Sequence, residues 1–258
     1  MSSLHVLKDG HGPKLLLLHG IGGSASAWTG QIAQLKGEFT CIAPDLPGYG
    51  ESPMPAGEGL QPLLDMLINL LGDEPCHVVG VSFGALLALA LARREPGLVQ
   101  SLVVADATLG RGYLNASDRE AWLDGRGKLA QNLQAVSEER AAKIASGTAS
   151  REVVLEIAHH MRRARPEGYM NVANAIADTD ARPWLPEITK PTLVLYGDED
   201  SVTGVEVSNT LVALLPDARL EVISNCGHAP HIEQPRIFAE LVKRFLKELA
   251  PSYIQGKN

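Results

Sequence analysis

Gly80-Val81-Ser82-Phe83-Gly84 is the segment in which residue type and spacing point most directly to chemistry. It stands where an apolar, β-rich run over 76–81 gives way to the Ala- and Leu-rich stretch Phe83 to Arg94. A serine in so sharp a strand-to-helix turn is held in a strained conformation with its hydroxyl projecting from the sheet. Neighbouring chain must then pass close on either side, which favours glycine at 80 and 84. Taken alone, the segment also fits a glycine-rich turn whose serine merely caps a helix. A hydroxyl becomes a useful nucleophile only when a base removes its proton, and the downstream chain offers one. Tyr196-Gly197-Asp198-Glu199-Asp200 and Asn225-Cys226-Gly227-His228 each follow a predicted strand, so nucleophile, acid and base come in the order Ser, Asp, His. His228 would accept the Ser82 proton and return it to the leaving group, while a carboxylate fixes the imidazole tautomer. Asp198, Glu199 and Asp200 all stand at the acid position, and Asp106, at the end of another predicted strand, is a further candidate. The oxyanion of acyl transfer needs hydrogen-bond donors, and the loop His19-Gly20-Ile21-Gly22-Gly23-Ser24 after the apolar run Lys14 to Leu18 can supply one. Its glycines let N–H groups turn inward, and the hole is assigned to the N–H groups of Ile21 and Phe83, with Gly22 as second choice.

The elements that must position these residues are legible as alternation. Strands are expected over 4–8, 14–19, 39–44, 76–81 and 101–106, with helical patterns between them, as in a mostly parallel sheet covered by helices. Leu60, Leu63, Leu64, Leu67 and Leu71 share one helical face, and the helix from Phe83 should stop before Pro96. From about residue 108 to 186 the strand pattern lapses and the chain reads as helices only, one opened by the capping box Ser117-x-x-Glu120 and another capped by Ser150. Strands then return at Thr192 to Tyr196 and Arg219 to Ile223, and Ile237, Phe238, Leu241, Phe245 and Leu249 mark a last amphipathic helix. The expected organisation is a core domain made of 1–109 and 187–258, with residues 110–186 inserted as a helical lid.

Composition narrows the partners. With 23 Lys and Arg against 30 Asp and Glu, the formal charge is −7, so a nucleic-acid partner is not expected. The longest uncharged apolar stretch, Val78 to Ala92, falls short of the roughly 20 residues that span a bilayer, and the N-terminal residues show no signal-like apolar region. Cys41, Cys76 and Cys226 are widely spaced and form no CxxC pair, which fits small core residues with reduced thiols in a cytoplasmic protein. Glu156-x-x-His159 is a single carboxylate–histidine pair where a bridged di-metal site needs two, and the loop after Leu18 does not match G-x-G-x-x-G. Neither a metal nor an organic cofactor is expected. His159 and His160 read as a polar helix face, while Arg162, Arg163 and Arg165 read as a solvated face or a site of attraction for a substrate carboxylate.

The segments LLLLHGIGGS, PDLPGYGES, GVSFGA, LYGDEDSV and GHAPHIEQP together resemble the α/β-hydrolase superfamily over the whole chain except the helical excursion. The resemblance implies an α/β fold, and it selects Asp200, three residues after Gly197, as the acid of a Ser82, His228 and Asp200 triad. Val81 departs from relatives that carry histidine before the serine, and one of the family's usual leading strands is not expected at the N-terminus. The stretch 166–180 is similar to the lid of 3-oxoadipate enol-lactonases and related small-molecule esterases. The implied activity is cofactor-independent hydrolysis of an ester or lactone of a small molecule, anionic ones included. Carbon–carbon hydrolases of the meta-cleavage-product type are the rival, although they usually carry Trp after the catalytic His where this chain has Ala229. A slow-turnover ligand receptor on the same fold is the alternative of another class.

Overall fold

The computed structural model describes residues 3–249. Its first strands are β1 (Val6–Asp9) and β2 (Lys14–Leu18), followed by helix α1 (Thr29–Leu35), β3 (Thr40–Pro44), α2 (Leu60–Leu71) and β4 (Cys76–Val81). Helix α3 (Phe83–Arg94), β5 (Val99–Ala105), and three consecutive helices α4 (Ala116–Ile144), α5 (Arg151–Arg162) and α6 (Pro166–Asp178) come next. The chain closes with β6 (Thr192–Gly197), α7 (Val205–Leu214), β7 (Ala218–Ile223), the single turn α8 (Pro230–Glu233) and α9 (Pro235–Leu249). The strands form one seven-stranded sheet in the order β1-β3-β2-β4-β5-β6-β7. Only β1 runs antiparallel to its neighbour; every other pairing is parallel. The fold is therefore α/β with a mostly parallel sheet, as the alternating pattern requires.

Central parallel strands are covered on both faces, which is why β2, β4 and β5 read as nearly continuous apolar runs rather than alternating ones. Their side chains nonetheless alternate between two layers. Leu16, Leu18, Val78, Leu102 and Val104 pack with α2, α3 and α7, whereas Leu15, Leu17, Val79, Val103 and Ala105 pack with α1 and α9. Helix α3 is buried along almost its whole length; Leu86, Leu87, Leu89 and Leu91 are inaccessible, each stabilising the fold by about 1.5–3 kcal/mol relative to exposure. All three cysteines are buried and unpaired.

Two local expectations are revised. Helix α4 starts earlier than the Ser117 capping box implies: Asn115 is its cap, accepting from the Asp118 N–H at 2.9 Å, and Ser117 lies inside the first turn. Asparagine in extended backbone competes well for this position. Ser150 does cap α5, accepting from the Val153 N–H.

Candidate active site

Parallel strands deliver their functional loops to one edge, at the carboxyl ends. Here β2, β4, β5, β6 and β7 end in a row, and the loops that follow them carry His19, Ser82, Asp106, Asp200 and His228. Backbone strain gathers at the same edge: Ser82 (φ 57°), Asp106 (φ 41°) and Asn225 (φ 52°) are the non-glycine residues with positive φ among those described. Ser82 can keep that conformation because Gly80 and Gly84 let chain through. A Cβ on Gly84 would overlap the carbonyl oxygen of Leu18, and one on Gly80 would overlap that of Gly84.

Ser82 precedes α3 but does not cap it with its side chain. The hydroxyl turns to His228 Nε2 at 3.0 Å, and His228 Nδ1 lies 3.0 Å from Asp200 Oδ1. A carboxylate can only accept, so Nδ1–H donates to Asp200 and the Nε2 lone pair is left to accept the Ser82 hydroxyl proton. Burial alone would raise the Asp200 pKa, but hydrogen bonds from His228, Thr203 and the Val202 N–H outweigh it and hold the carboxyl below its ordinary value. All three side chains belong to buried residues, at 8%, 9% and 5% exposure for Ser82, His228 and Asp200. Of the other acids at this position, Asp198 accepts from the Cys226 N–H and Glu199 from the Gly147 N–H, so both tie loops together.

Asp106 is in a different state. One carboxyl oxygen accepts from the Gly197 N–H at 3.0 Å, the other has no hydrogen-bond partner, and the residue is 1% exposed. Burial, reinforced by the negative charge of Asp200 nearby, raises its pKa well above the carboxylate norm. It sits beside the serine–histidine–aspartate chain with its charged form disfavoured by burial and by Asp200.

The loop after β2 comes close to the serine: a Cβ on Gly20 would lie 3.1 Å from Ser82 Cβ. Beside it the N–H groups of Ile21 and Phe83 have no hydrogen-bond partner among the described residues. His19 holds this loop. Its Nδ1–H donates to the Gly20 carbonyl at 2.8 Å and its Nε2 accepts from the Leu46 N–H at 3.0 Å, a pattern only the neutral ring can make. Burial lowers its pKa to about 4. Glu233 does similar service for the histidine loop, accepting from the N–H groups of Gly227 and Ala229, on both sides of His228, and from that of Ser146. The sequence pattern includes Glu233 five residues after His228, but spacing alone does not show which amides converge on it.

Helices α4, α5 and α6 roof a cavity of about 1040 Å³, its open mouth included, whose floor holds Ser82, His228 and Gly20. One roof expectation is corrected, and of two alternatives for the arginines the carboxylate site is closed for Arg162 and Arg165. His160 is not on a polar outer face: it is buried, its Nδ1 lies 2.9 Å from Ser24 Oγ, and its ring borders the cavity. Arg162 is taken up by Ser137 and Glu138. Arg165 donates to the carbonyls of Gly48 and Ser52, so neither of these arginines is free for a substrate. Among the described residues no group of three or more metal-ligating side chains is placed to hold an ion. Nor is any described helix long and apolar enough to cross a membrane.

Fold and site together define a hydrolase scaffold, and comparison with known proteins agrees. A family model described as "alpha/beta hydrolase fold" matches residues 13–235, and the chain belongs to that family. It is similar to the pimeloyl-[acyl-carrier protein] methyl ester esterase of Aromatoleum aromaticum, at 31% identity over 90% of this chain and 97% of that protein. It is also similar to 3-oxoadipate enol-lactonase 2 of Acinetobacter baylyi, at 28% identity over 91% and 89%. Among solved structures, a thermophilic esterase from Thermogutta terrifontis with malate bound superposes with a TM-score of 0.86 at 26% identity, over 96% of this chain and 94% of that one. By kinship the chain is a hydrolase of this ester- and lactone-cleaving group.

Proposed function

We propose that the protein hydrolyses a carboxylic ester or lactone of a small molecule through an acyl-enzyme on Ser82. The observation that carries this reading is the unbroken hydrogen-bonded chain from Ser82 through His228 to Asp200 at the floor of a roofed cavity. His228 takes the hydroxyl proton as Ser82 Oγ attacks the carbonyl carbon. Asp200 then stabilises the imidazolium and keeps the ring oriented. The negative oxygen of the tetrahedral intermediate is received by the unpartnered N–H groups of Ile21 and Phe83, the second at the first turn of α3 where the helix dipole adds to the effect. Collapse of the intermediate passes the proton from His228 to the leaving alkoxide, releasing an alcohol, or the hydroxyl end of the opened lactone, and leaving acyl-Ser82. Water, deprotonated by His228, attacks the acyl carbon in turn and restores the serine. No step calls for a cofactor.

In this reading residues 110–186 act as the lid, limiting water and shaping the pocket. The named esterase and lactonase relatives support the choice of bond. The buried, unpaired cysteines support a cytoplasmic setting, and the net charge of −7 supports a small-molecule partner over a nucleic acid.

Proton release from a panel of small esters and lactones tests the proposal, with wild type compared to Ser82→Ala. Saturable turnover at roughly 1–10³ s⁻¹ that vanishes in the variant is expected. Turnover that persists in Ser82→Ala would exclude the mechanism, and a single stoichiometric adduct without turnover would favour the receptor alternative.

A further inference from the structure

The cavity roof carries positive charge that the fold does not neutralise. On α4, Trp122, Arg126, Leu129, Leu133, Arg140 and Ile144 recur at helical spacing, and all of them border the cavity. Arg111, from the segment before α4, joins them. None of Arg111, Arg126 and Arg140 lies within ion-pair distance of any carboxylate among the described residues, although most of the arginines elsewhere in the chain are paired. No aspartate or glutamate borders the cavity at all. The cavity histidines add no compensation in either direction: burial lowers His19 and His160 to about 4 and His231 to about 3, so they are neutral near pH 7.

The arginines are held in place without being satisfied. Arg111 and Arg126 lie within cation–π reach of the Trp122 ring, their guanidinium carbons 5.2 and 4.8 Å from its centroid, a contact that supplies no hydrogen-bond acceptor. Arg126 also donates to the Tyr169 hydroxyl at 3.2 Å. Arg140 makes no hydrogen bond or ion pair among the described residues. It lines the same cavity as Arg126, and burial first, then the charge of Arg126, lower its pKa. Unpaired, partly buried cations lining a cavity are suited to receive an anion in charge-assisted hydrogen bonds.

We propose that this cluster is a carboxylate-binding subsite, so that the preferred substrate is an ester or lactone carrying a second, distal carboxylate. Arg126 and Arg140 take the anion in charge-assisted hydrogen bonds and Arg111 adds to the positive field. The apolar wall of Leu129, Leu133 and Ile176 accommodates the spacer between the two ends of the substrate. The roof thus sets which molecule is cut, and the floor does the cutting. This assignment rests on the ester-hydrolase reading above, and its test separates the two.

The experiment compares the monomethyl esters of succinate, glutarate and adipate with the methyl esters of butyrate, pentanoate and hexanoate, matched in length and lacking only the distal carboxylate. Wild type should favour the acidic member of at least one pair by about tenfold or more in kcat/KM, chiefly through KM. The Arg126→Gln and Arg140→Gln double variant should bring that preference down to within about twofold of unity. Arg163→Gln, on the exposed side of the same roof, should leave the ratio unchanged. Serine-dependent hydrolysis with no preference for any acid ester would overturn the subsite and leave the hydrolase standing. If no ester of either series is turned over, binding decides: calorimetry with Ser82→Ala should show adipate or a shorter dicarboxylate bound more tightly than the matching monoacid, and the double variant should lose that difference. Equal binding of the two acids would overturn the proposal by itself.

Discussion

The floor and the roof of the cavity are built on opposite terms. On the floor almost every polar group is already answered from within the chain: Asp200 by His228, Thr203 and Val202, His19 by Gly20 and Leu46, Glu233 by three backbone amides. On the roof, cations stand without counter-ions. A satisfied, close-packed floor holds reacting groups to a fixed geometry, as catalysis by preorganisation needs. Unsatisfied groups instead reserve their hydrogen bonds for something that arrives. One seam between the two lies beside His228, where the His228 N–H donates to the Ile144 carbonyl at the end of α4 and Glu233 accepts from the Ser146 N–H.

Substitutions at the floor should be the most damaging. Asp200→Asn should lower kcat by about 10⁴-fold, because the amide favours the wrong histidine tautomer. Asp106→Asn, close by in space, should change kcat by less than about threefold, since Asp106 accepts from the Gly197 N–H while His228 pairs with Asp200; steady-state kinetics of the two variants side by side checks the distinction. A large loss in Asp106→Asn would show that the two acids had been assigned the wrong way round. Glu233→Ala frees three amides around His228 and should cost about 10–100-fold in kcat/KM, comparable to loss of the groups that orient metal ligands.

Glycines give the same contrast in stability. Gly84→Ala forces a Cβ into the Leu18 carbonyl and should prevent folding or lower the melting temperature sharply. Gly125→Ala, within α4 where a Cβ meets nothing within 4 Å, should stabilise the protein by about 0.5–1 kcal/mol. Thermal denaturation of both variants reads the difference.

A smaller effect concerns pH. His19, His160 and His231 have folded pKa values of about 4, 4 and 3 against 6.5 for the free side chain. The unfolded chain therefore binds more protons between those limits, so their contribution is fully present above about pH 6.5 and is lost as pH falls through 4. Asp106 has the opposite sign: its raised folded pKa stabilises most in acid and the benefit fades as pH rises through that value. Melting temperature should drop steadily below pH 6.5, and Asp106→Asn should raise it at pH 8.

The floor was legible in the sequence because its signals are local. A strand, a turn glycine, a serine and a helix follow one another within a few residues at Gly80 to Gly84, and sterics leave few other arrangements. The acid was harder: Asp198, Glu199 and Asp200 differ by one position each, and only the turn after Gly197 decides which side chain faces His228. Glu233 stands within the GHAPHIEQP segment, but its role is not legible there because its partners come from two loops far apart in the chain. On the roof, the run Arg162, Arg163 and Arg165 draws attention by density, yet Arg162 and Arg165 are used structurally, while the scattered Arg126 and Arg140 face the cavity. Helical periodicity tells which residues share a face; it does not tell what that face looks onto.

The central claim is that Ser82, activated by His228, is the nucleophile, and a p-nitrophenyl alkylphosphonate tests it most directly. Peptide mass spectrometry of treated wild-type protein should place a single phosphonyl group on Ser82, with labelling greatly slowed in His228→Ala. An unlabelled wild type, or a label on any other residue at equal rate in both proteins, would contradict the account.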